Sequence, residues 1–471
     1  MGFYLIGILF NWDFREDYKK DNIKDFFVDN RMIDNRMIDN RMGDNIMEDK
    51  EDYLSTLNER QLAAVTTTEG YVRIIAGAGT GKTKALTHRY AYLVNELGIS
   101  TSNILCVTFT NKAAREMSKR IRQMIGDSDT GYICTFHGFC VKLLREDIHA
   151  INFPQNFVVM DDEDTEEILK TVYENAHIQS RTYTFDSARD HITALKSQML
   201  HIPYLAEIGN EKLLADYEKA EKVEDKVFLG YLYEQKKVYG LDYDDLITIA
   251  LYILQTDETK RIKWQERMMY VMVDEFQDVS SSQYALAEIL SGYHRNLFIV
   301  GDPDQTIYTW RGAQIEYILE FDETHENTRT IFLDMNYRST PEILAVSNSL
   351  IEKNKKRLPH RLEAYKESGR RPIYIHSRTT GDEAQWMTSE IQRLVSEGAS
   401  YNEMAVLYRS HFVSRNIEES FIKAKIPYTL YSGVEFYKRK EIKDVLAYLR
   451  MIVYSDDLSF RRVINEPKRN F

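Results

Sequence analysis

A glycine-rich segment at residues 76–83 has the chemistry of a phosphate-binding loop. Its residues are, in order, Ala76, Gly77, Ala78, Gly79, Thr80, Gly81, Lys82 and Thr83. Glycines let backbone N–H groups surround phosphate oxygens, and a following helix N-terminus favours negative charge. We predict that Lys82 reaches the β- and γ-phosphates of ATP and that Thr83 places its hydroxyl on Mg²⁺. A glycine-rich turn without a ligand is the alternative.

Two adjacent acids follow the apolar run at residues 270–273. A strand tip would bring Asp274 beside Thr83, so we predict that Asp274 holds Mg²⁺ through water. Glu275, one residue on, is predicted to accept the proton of an attacking water. The alternative is an acidic turn after a buried strand.

A third apolar run, at residues 297–300, leads to Gln305, which suits sensing of the γ-phosphate or orientation of a water. Tyr308, Trp310 and Arg311 follow within six residues. An aromatic ring beside an arginine is suited to stacking on a nucleic-acid base. This arrangement predicts that DNA binding is tied to the state of the nucleotide, whereas the alternative for Trp310 is a place in the core.

The elements that must position these residues read as an α/β pattern, in which short apolar runs alternate with helical segments. Such alternation predicts parallel sheets with crossover helices, and the helix after Thr83 has an apolar face of period 3.6. We predict the α/β fold of a P-loop NTPase. The predicted strands are residues 72–75, 104–109, 270–273, 297–300, 331–333, 373–375 and 405–408.

The chain has 471 residues and a net charge of −12, so bulk charge does not favour nucleic acid. Any DNA contact must come from a local track of basic and aromatic side chains. Three cysteines without a C-x-x-C pair are typical of reduced thiols in the cytoplasm. The apolar run at residues 3–10 is too short to span a membrane, and no later run is long enough.

Seven sequence blocks resemble, in order, the motifs of superfamily 1 helicases of the UvrD, Rep and PcrA kind. Ala76 is ordinary at the first loop position in that family, whereas Gly138 stands where serine is commoner. The blocks are residues 57–61 (Q motif), 76–83 (I), 107–114 (Ia), 134–138 (Ib), 273–278 (II), 300–313 (III) and 333–339 (IV).

The resemblance implies ATP-driven 3′→5′ movement on single-stranded DNA, with action at junctions of single and double strands. It implies two RecA-like lobes with ATP between them. Gln61 would read adenine and Tyr337 would stack on it, while Arg338 would reach the γ-phosphate from the second lobe. Such arginines contribute about 10³–10⁵ in rate. The residues that would face DNA are Phe109, Thr135, His137, Tyr308, Trp310 and Arg311.

The domain organisation is predicted in four parts. Residues 1–52 contain a five-residue repeat and are expected to be a low-complexity, disordered extension. Residues 53–150 and 240–338 would form the first lobe, and residues 151–239 a helical insertion. Residues 339–471 would form part of a second lobe, and a structural role is assigned to Asp242, Asp244 and Asp245.

The chain shows no match to motifs V and VI, so we expect a truncated product whose unwinding is impaired. Two other functions stay open from the sequence. One is an ATP-gated module that binds single-stranded DNA without productive unwinding. The other is a P-loop enzyme of a different class, such as a small-molecule kinase, which would leave Phe109 and Trp310 without a role.

Overall fold

The computed structural model describes most of the chain from residue 53 onward. The predicted extension at residues 1–52 lies outside the described residues. One compact unit contains the described residues up to Arg371 and those from Ala447, and a second spans Pro372–Leu446. The described residues are 53–126, 129–410, 413–431, 440–454, 457–464, 466–467 and 469.

A six-stranded, all-parallel sheet forms the centre of the first unit, in the order β3-β2-β6-β7-β1-β8. This architecture confirms the predicted α/β fold of the RecA-like P-loop type. Two pairs of short strands, β4 with β5 and β9 with β10, lie outside this sheet. The strands are β1 Tyr71–Ala76, β2 Ile104–Val107, β3 Tyr132–Cys134, β4 Val158–Val159, β5 Gly240–Leu241, β6 Tyr270–Val273, β7 Leu297–Gly301, β8 Arg329–Leu333, β9 Met335–Asn336 and β10 Glu363–Ala364.

Helices connect the strands, and short 3₁₀ turns occur at several strand ends. The α-helices are α1 Glu59–Thr66, α2 Lys82–Asn95, α3 Asn111–Ile125, α4 Phe136–Asp147, α5 Asp162–Asn175, α6 Phe185–Ser197, α7 Ile202–Ala206, α8 Asn210–Lys219, α9 Val223–Lys237, α10 Tyr243–Thr256, α11 Glu258–Arg267, α12 Ser281–Ser291, α13 Glu316–Leu319, α14 Phe321–Thr324, α15 Pro341–Ile351, α16 Thr380–Ser396, α17 Ser414–Lys423, α18 Lys440–Tyr454 and α19 Asp457–Val463. The 3₁₀ turns are Tyr53–Thr56, Thr101–Asn103, Ile148–Ile151, Phe276–Asp278, Pro303–Gln305, Thr309–Arg311 and Tyr401–Glu403.

Both faces of the sheet are covered, which is the usual condition of a parallel sheet and explains its continuous apolar strands. Ile74 and Phe298 pack with α2 and α3 on one face. Ile75 and Ile299 point to the other face and pack with α4, α10 and α12. The alternation of side chains along each strand thus divides one sheet between two cores.

Residues 162–237 contain five consecutive helices, α5 to α9. They lie between β4 and β5, the two short strands that pair with each other. These helices bury their own apolar cluster, which includes Leu169, Val172, Leu213 and Tyr231. A segment with its own core can be inserted into a sheet domain without disturbing the strand order.

The predicted strands at residues 373–375 and 405–408 are wrong, because neither segment lies in a strand. Ile373 and Tyr374 are largely exposed, as is Leu407. A strand requires a hydrogen-bonded neighbour, and apolar composition alone does not supply one. The unit Pro372–Leu446 is instead organised by α16 and α17, which pack through Met387 and Phe421.

Within the part of the chain that the structure describes, no helix combines the length and the apolar character that crossing a bilayer requires.

A buried ionic network connects the five-helix segment to α10. Lys196 on α6 is fully buried, and its Nζ lies 2.5 Å from Asp242 Oδ2 and 2.7 Å from Asp245 Oδ1. His201 Nε2 lies 3.2 Å from the same Asp245 oxygen, and the hydroxyl of Tyr231 donates to Asp242. Although burial lowers the pKa of Lys196, the two carboxylates hold it above its ordinary value. The network accounts for the predicted structural role of Asp242 and Asp245.

We expect Lys196→Met to lower the free energy of unfolding by about 3–5 kcal/mol, because it leaves two buried carboxylates without their cation. Chemical unfolding of the variant and the parent measures the difference. Lys212→Met, at an exposed position of α8, is the matched control and should change stability by less than about 0.5 kcal/mol. Equal losses in the two variants would contradict the role of the network.

Candidate functional site

The glycine-rich loop leaves the end of β1 and enters α2 at Lys82. Gly81 precedes the helix with φ of 89°, a left-handed conformation that favours glycine. The Thr80 hydroxyl donates to the carbonyl of Gly77 at 2.8 Å and tightens the turn. Gln61 is buried, and its Nε2 donates to the carbonyl of Thr80 at 2.9 Å. Gln61, which is predicted to read adenine, therefore also stabilises the conformation of the loop.

Residues 336–338 pack against the opposite side of the loop. The N–H of Tyr337 donates to the Gly79 carbonyl at 2.9 Å, and Asn336 Nδ2 donates to the Ala78 carbonyl at 2.5 Å. The Asn336 carboxamide oxygen also accepts from the N–H of Arg338 at 2.9 Å. Tyr337 and Arg338 are thus held at the phosphate loop, and both belong to the same compact unit as the loop, whereas the resemblance implies that Arg338 approaches from the second lobe.

The ring of Tyr337 lies beside the segment that contains Gln61. Asn58 Nδ2 donates to the Tyr337 hydroxyl at 2.7 Å, and Asn58 also caps α1. Tyr365 lies against the Tyr337 ring with centroids 4.9 Å apart. An ion pair between Arg60 and Asp334 joins the same two segments. These contacts form an aromatic, amide-lined corner that suits a purine.

The acidic pair at the end of β6 faces the loop lysine. Lys82 Nζ lies 3.1 Å from Glu275 Oε2. Asp274 is buried and accepts from the hydroxyl of Thr108 at 3.2 Å. Burial and, next to it, the charge of Glu275 raise the pKa of Asp274 to about 6, although Lys82 opposes both. A cation close to such a buried carboxylate stabilises its charged form.

A single amide joins the tips of β6 and β7. Gln277 Nε2 donates to Glu275 Oε2 at 3.0 Å and to Asp278 Oδ2 at 3.2 Å. Its oxygen accepts from the N–H of Asp302 at 2.9 Å, and Asp302 accepts from Gln305 Nε2 at 2.5 Å. A continuous chain of hydrogen bonds therefore connects the predicted general base with the predicted γ-phosphate sensor.

Aromatic side chains follow Gln305 along the chain. Tyr308 stacks on Phe109 with ring centroids 4.8 Å apart and an interplanar angle of 27°. The guanidinium of Arg311 lies 4.6 Å from the centroid of Trp310. Trp310 is 71% exposed, so the alternative of a core tryptophan is wrong. An exposed indole beside an arginine is available to stack on a base.

A cavity of about 400 Å³ is lined by the acidic pair and, from this aromatic group, by Phe109 and Arg311. Thr135 and His137 also line it, as does Tyr243, whose ring meets His137 edge-on at 5.4 Å. Burial lowers the pKa of His137, which favours the neutral ring. Asp274 and Glu275 therefore share one cavity with four of the six residues predicted to face DNA, whereas Tyr308 and Trp310 are not among the residues that line it.

Two models of known protein families match this chain. The family model described as the UvrD/REP helicase N-terminal domain matches residues 57–326, which is more than half of the chain. The chain belongs to the UvrD/Rep helicase family. A second model, the UvrD-like helicase C-terminal domain, matches residues 331–471 of this family member.

Two curated members of the UvrD/Rep helicase family show the extent of the similarity. The ATP-dependent DNA helicase PcrA of Staphylococcus aureus (strain Mu50 / ATCC 700699) is 41% identical over 418 residues, which are 88% of this chain and 56% of that protein. PcrA of Staphylococcus epidermidis (strain ATCC 12228 / FDA PCI 1200) is 40% identical over 418 residues, with the same shares. The chain spans about half the length of these relatives. The expected truncation is not confirmed, because the C-terminal model is matched.

Several side chains at this helicase-family site were not assigned a role from the sequence. Asn336 and Gln277 lie inside the motif blocks, so a carboxamide beside a phosphate loop or an acidic pair could have been noted. Tyr243 and Leu362 carry no such signal. A Cβ on Gly77 would lie 2.6 Å from Leu362 Cδ2, a contact that only the folded chain reveals.

The loop offers a direct test of the packing by residues 336–338. Gly79 and Gly98 both have left-handed φ, of 75° and 66°, but only at Gly79 would a Cβ meet other atoms: Arg338 Cβ at 2.6 Å and Asn336 Nδ2 at 2.9 Å. In both alanine variants the free energy of unfolding should fall by about 1–2 kcal/mol, because a residue with a Cβ is unfavourable in the left-handed conformation. We expect Gly79→Ala to lose about 1–3 kcal/mol more through overpacking. Urea unfolding of both variants measures this, and equal losses would show that residues 336–338 do not rest on the loop.

Proposed function

We propose that this chain is an ATP-driven helicase or translocase that moves 3′→5′ on single-stranded DNA and acts at junctions of single and double strands. The observation that carries the proposal is one cavity whose lining includes both the acidic pair and Phe109, Thr135, His137 and Arg311. A nucleotide-driven motor on DNA requires such proximity, whereas a small-molecule kinase does not. Three free cysteines are compatible with action in the cytoplasm.

The binding of ATP is proposed to use both sides of the glycine loop. Backbone N–H groups of residues 77–81 surround the phosphates, and Lys82 exchanges its partner Glu275 for phosphate oxygens. Tyr337 and Gln61 bind the adenine end, which suits their positions on the corner formed with Asn58. Because Lys82 then leaves Glu275, the carboxylate is released to take part in the reaction.

Mg²⁺ fits the residues present, because burial raises the pKa of the Asp274 carboxylate and a cation would stabilise its charged form. Thr83 and Asp274 would hold the ion, which when bound neutralises charge on the phosphates. Glu275 accepts the proton of the attacking water, and Gln305 orients that water or contacts the γ-phosphate. Arg338, held at the loop by Asn336, stabilises the developing negative charge.

Movement on DNA is proposed to follow from the continuity of residues 302–311. Gln305 is bonded through Asp302 and Gln277 to Glu275, and Tyr308 stacks on Phe109 three residues later. A shift of Gln305 on loss of the γ-phosphate would displace Tyr308 and Trp310, and with them the stacked bases. DNA binding is thereby coupled to the state of the bound nucleotide.

ATP hydrolysis measured with and without single-stranded DNA tests the proposal. Strong stimulation is expected, and indifference to DNA would instead favour a P-loop enzyme of another class. Displacement of a strand from duplexes with a 3′ or a 5′ tail tests direction, with the 3′-tailed substrate expected to be opened. Tight DNA binding without turnover would identify an ATP-gated binding module.

Glu275→Gln should lower ATP turnover by about 10²–10⁴-fold, because the amide cannot accept a proton. Nucleotide binding should persist, since Lys82 and the glycine loop are intact. Turnover and equilibrium binding of a fluorescent ATP analogue measure the two effects. Glu326→Gln, at an exposed position, is the matched control. Unchanged turnover in Glu275→Gln would remove this residue from its proposed role.

Trp310→Ala should weaken binding of single-stranded DNA by about 1–3 kcal/mol, which is the contribution of one stacked base. Fluorescence anisotropy with a labelled oligonucleotide measures the affinity. Tyr293→Ala removes another exposed aromatic ring, 57% exposed, that follows α12 rather than Gln305, and should bind as the parent does. The role of Trp310 is rejected if both variants bind DNA with the parental affinity.

A further inference from the structure

We propose that a cationic groove beside the edge of the sheet binds the phosphate backbone of a DNA strand as it leaves the cavity. This inference rests on the proposed function and extends its DNA track. The groove, called the α3 groove here, is an open space of about 850 Å³ between α3, the edge strand β3 and Lys142 of α4. Its basic side chains are Arg115, Lys119 and Arg122 on α3 and Lys142 on α4.

The charge of the α3 groove contrasts with that of the chain. Four basic side chains line it, and among its described lining residues Asp129 is the single carboxylate, although the whole chain has a net charge of −12. Arg115, Lys119 and Arg122 are exposed and follow one another at helical spacing on one face, over about 10 Å of the axis. A local cationic track on an otherwise acidic chain is the feature expected where a protein binds a polyanion.

Residues close in sequence line the α3 groove and the proposed DNA cavity. Asn111, the first residue of α3, lines the groove two residues after Phe109, which lines the cavity. Cys134, at the end of β3, lines the groove immediately before Thr135, which lines the cavity. A strand that contacts Phe109 and Thr135 is therefore placed next to residues that line the α3 groove.

An added protein strand fits this edge less well than a nucleic-acid backbone does. β3 has only three residues. Lys142 Nζ donates to the Gly131 carbonyl at 3.2 Å and lies 5.0 Å from the ring centroid of Tyr132. A short edge that is guarded by a lysine offers few free backbone groups for pairing with a peptide. Phosphates need only the charges, since backbone contacts position a strand without reading its sequence.

The test compares two triple variants of the full chain. Arg115→Gln, Lys119→Gln and Arg122→Gln together remove the cations of α3. The control combines Lys212→Gln, Lys219→Gln and Lys222→Gln, exposed lysines of the five-helix segment. Each triple changes the net charge from −12 to −12 − 3 = −15, so bulk charge is matched. Thermal unfolding verifies that both remain folded.

Binding of oligodeoxythymidylates of about 8 and about 30 nucleotides is measured over a range of salt concentrations; the shorter length falls within the span of one binding site. For the long strand, the slope of log K against log salt should become shallower by about 2 in the groove triple, since each lost phosphate contact contributes about 0.7. The short strand should lose less affinity than the long one. The control triple should keep the parental slope.

Three results would overturn the proposal. A parental chain that binds neither oligonucleotide removes the proposed function and this inference together. If the parent binds the short strand but both triples keep the parental slope on the long one, only the groove is rejected. If the groove triple keeps its DNA affinity but loses binding of oligoglutamate, the surface receives an acidic protein instead.

Discussion

The contact on which the site depends is the ion pair of Lys82 with Glu275, which joins residues 193 positions apart at the tips of β1 and β6. In the strand order, β7 lies between these two strands, so all three tips open on one edge of the sheet. Parallel strands expose their carboxyl ends together, and ligands of such sheets bind there. The buried apolar strands therefore stabilise the core, and they also bring the cation of Lys82 close to two carboxylates that are distant from it in sequence.

The strands and the phosphate loop could be predicted from the sequence because each rests on local chemistry. Residues 270–273 are a short apolar run followed by acids, and the structure forms β6 over the same residues. Residues 373–375 had a comparable composition, yet they form no strand. The difference lies in pairing with a neighbour, which depends on residues distant in sequence and is not visible in a short window.

The same limit applies to the candidate site. The side chains of Lys82, Asp274 and Glu275 are of types that bind phosphate and metal ions, so these residues could be predicted from the sequence. The contacts of Asn336 with Ala78 and of Leu362 with Gly77 arise only when distant segments meet. Lys196 belongs to the same category, because nothing in its neighbours along the chain predicts a fully buried ammonium group between Asp242 and Asp245.

The carboxamide of Gln277 has a consequence for how the site keeps its order while the nucleotide changes. Its nitrogen faces two carboxylates and its oxygen faces a backbone N–H, so rotating the amide by half a turn would set oxygen against oxygen at one end and N–H against N–H at the other. Only one orientation satisfies every neighbour. If Glu275 moves away, Asp278 and the N–H of Asp302 still hold the amide in place. The bridge between the two strand tips can thus outlast the loss of one of its partners and serve as a fixed pivot for the segment that leads to Tyr308.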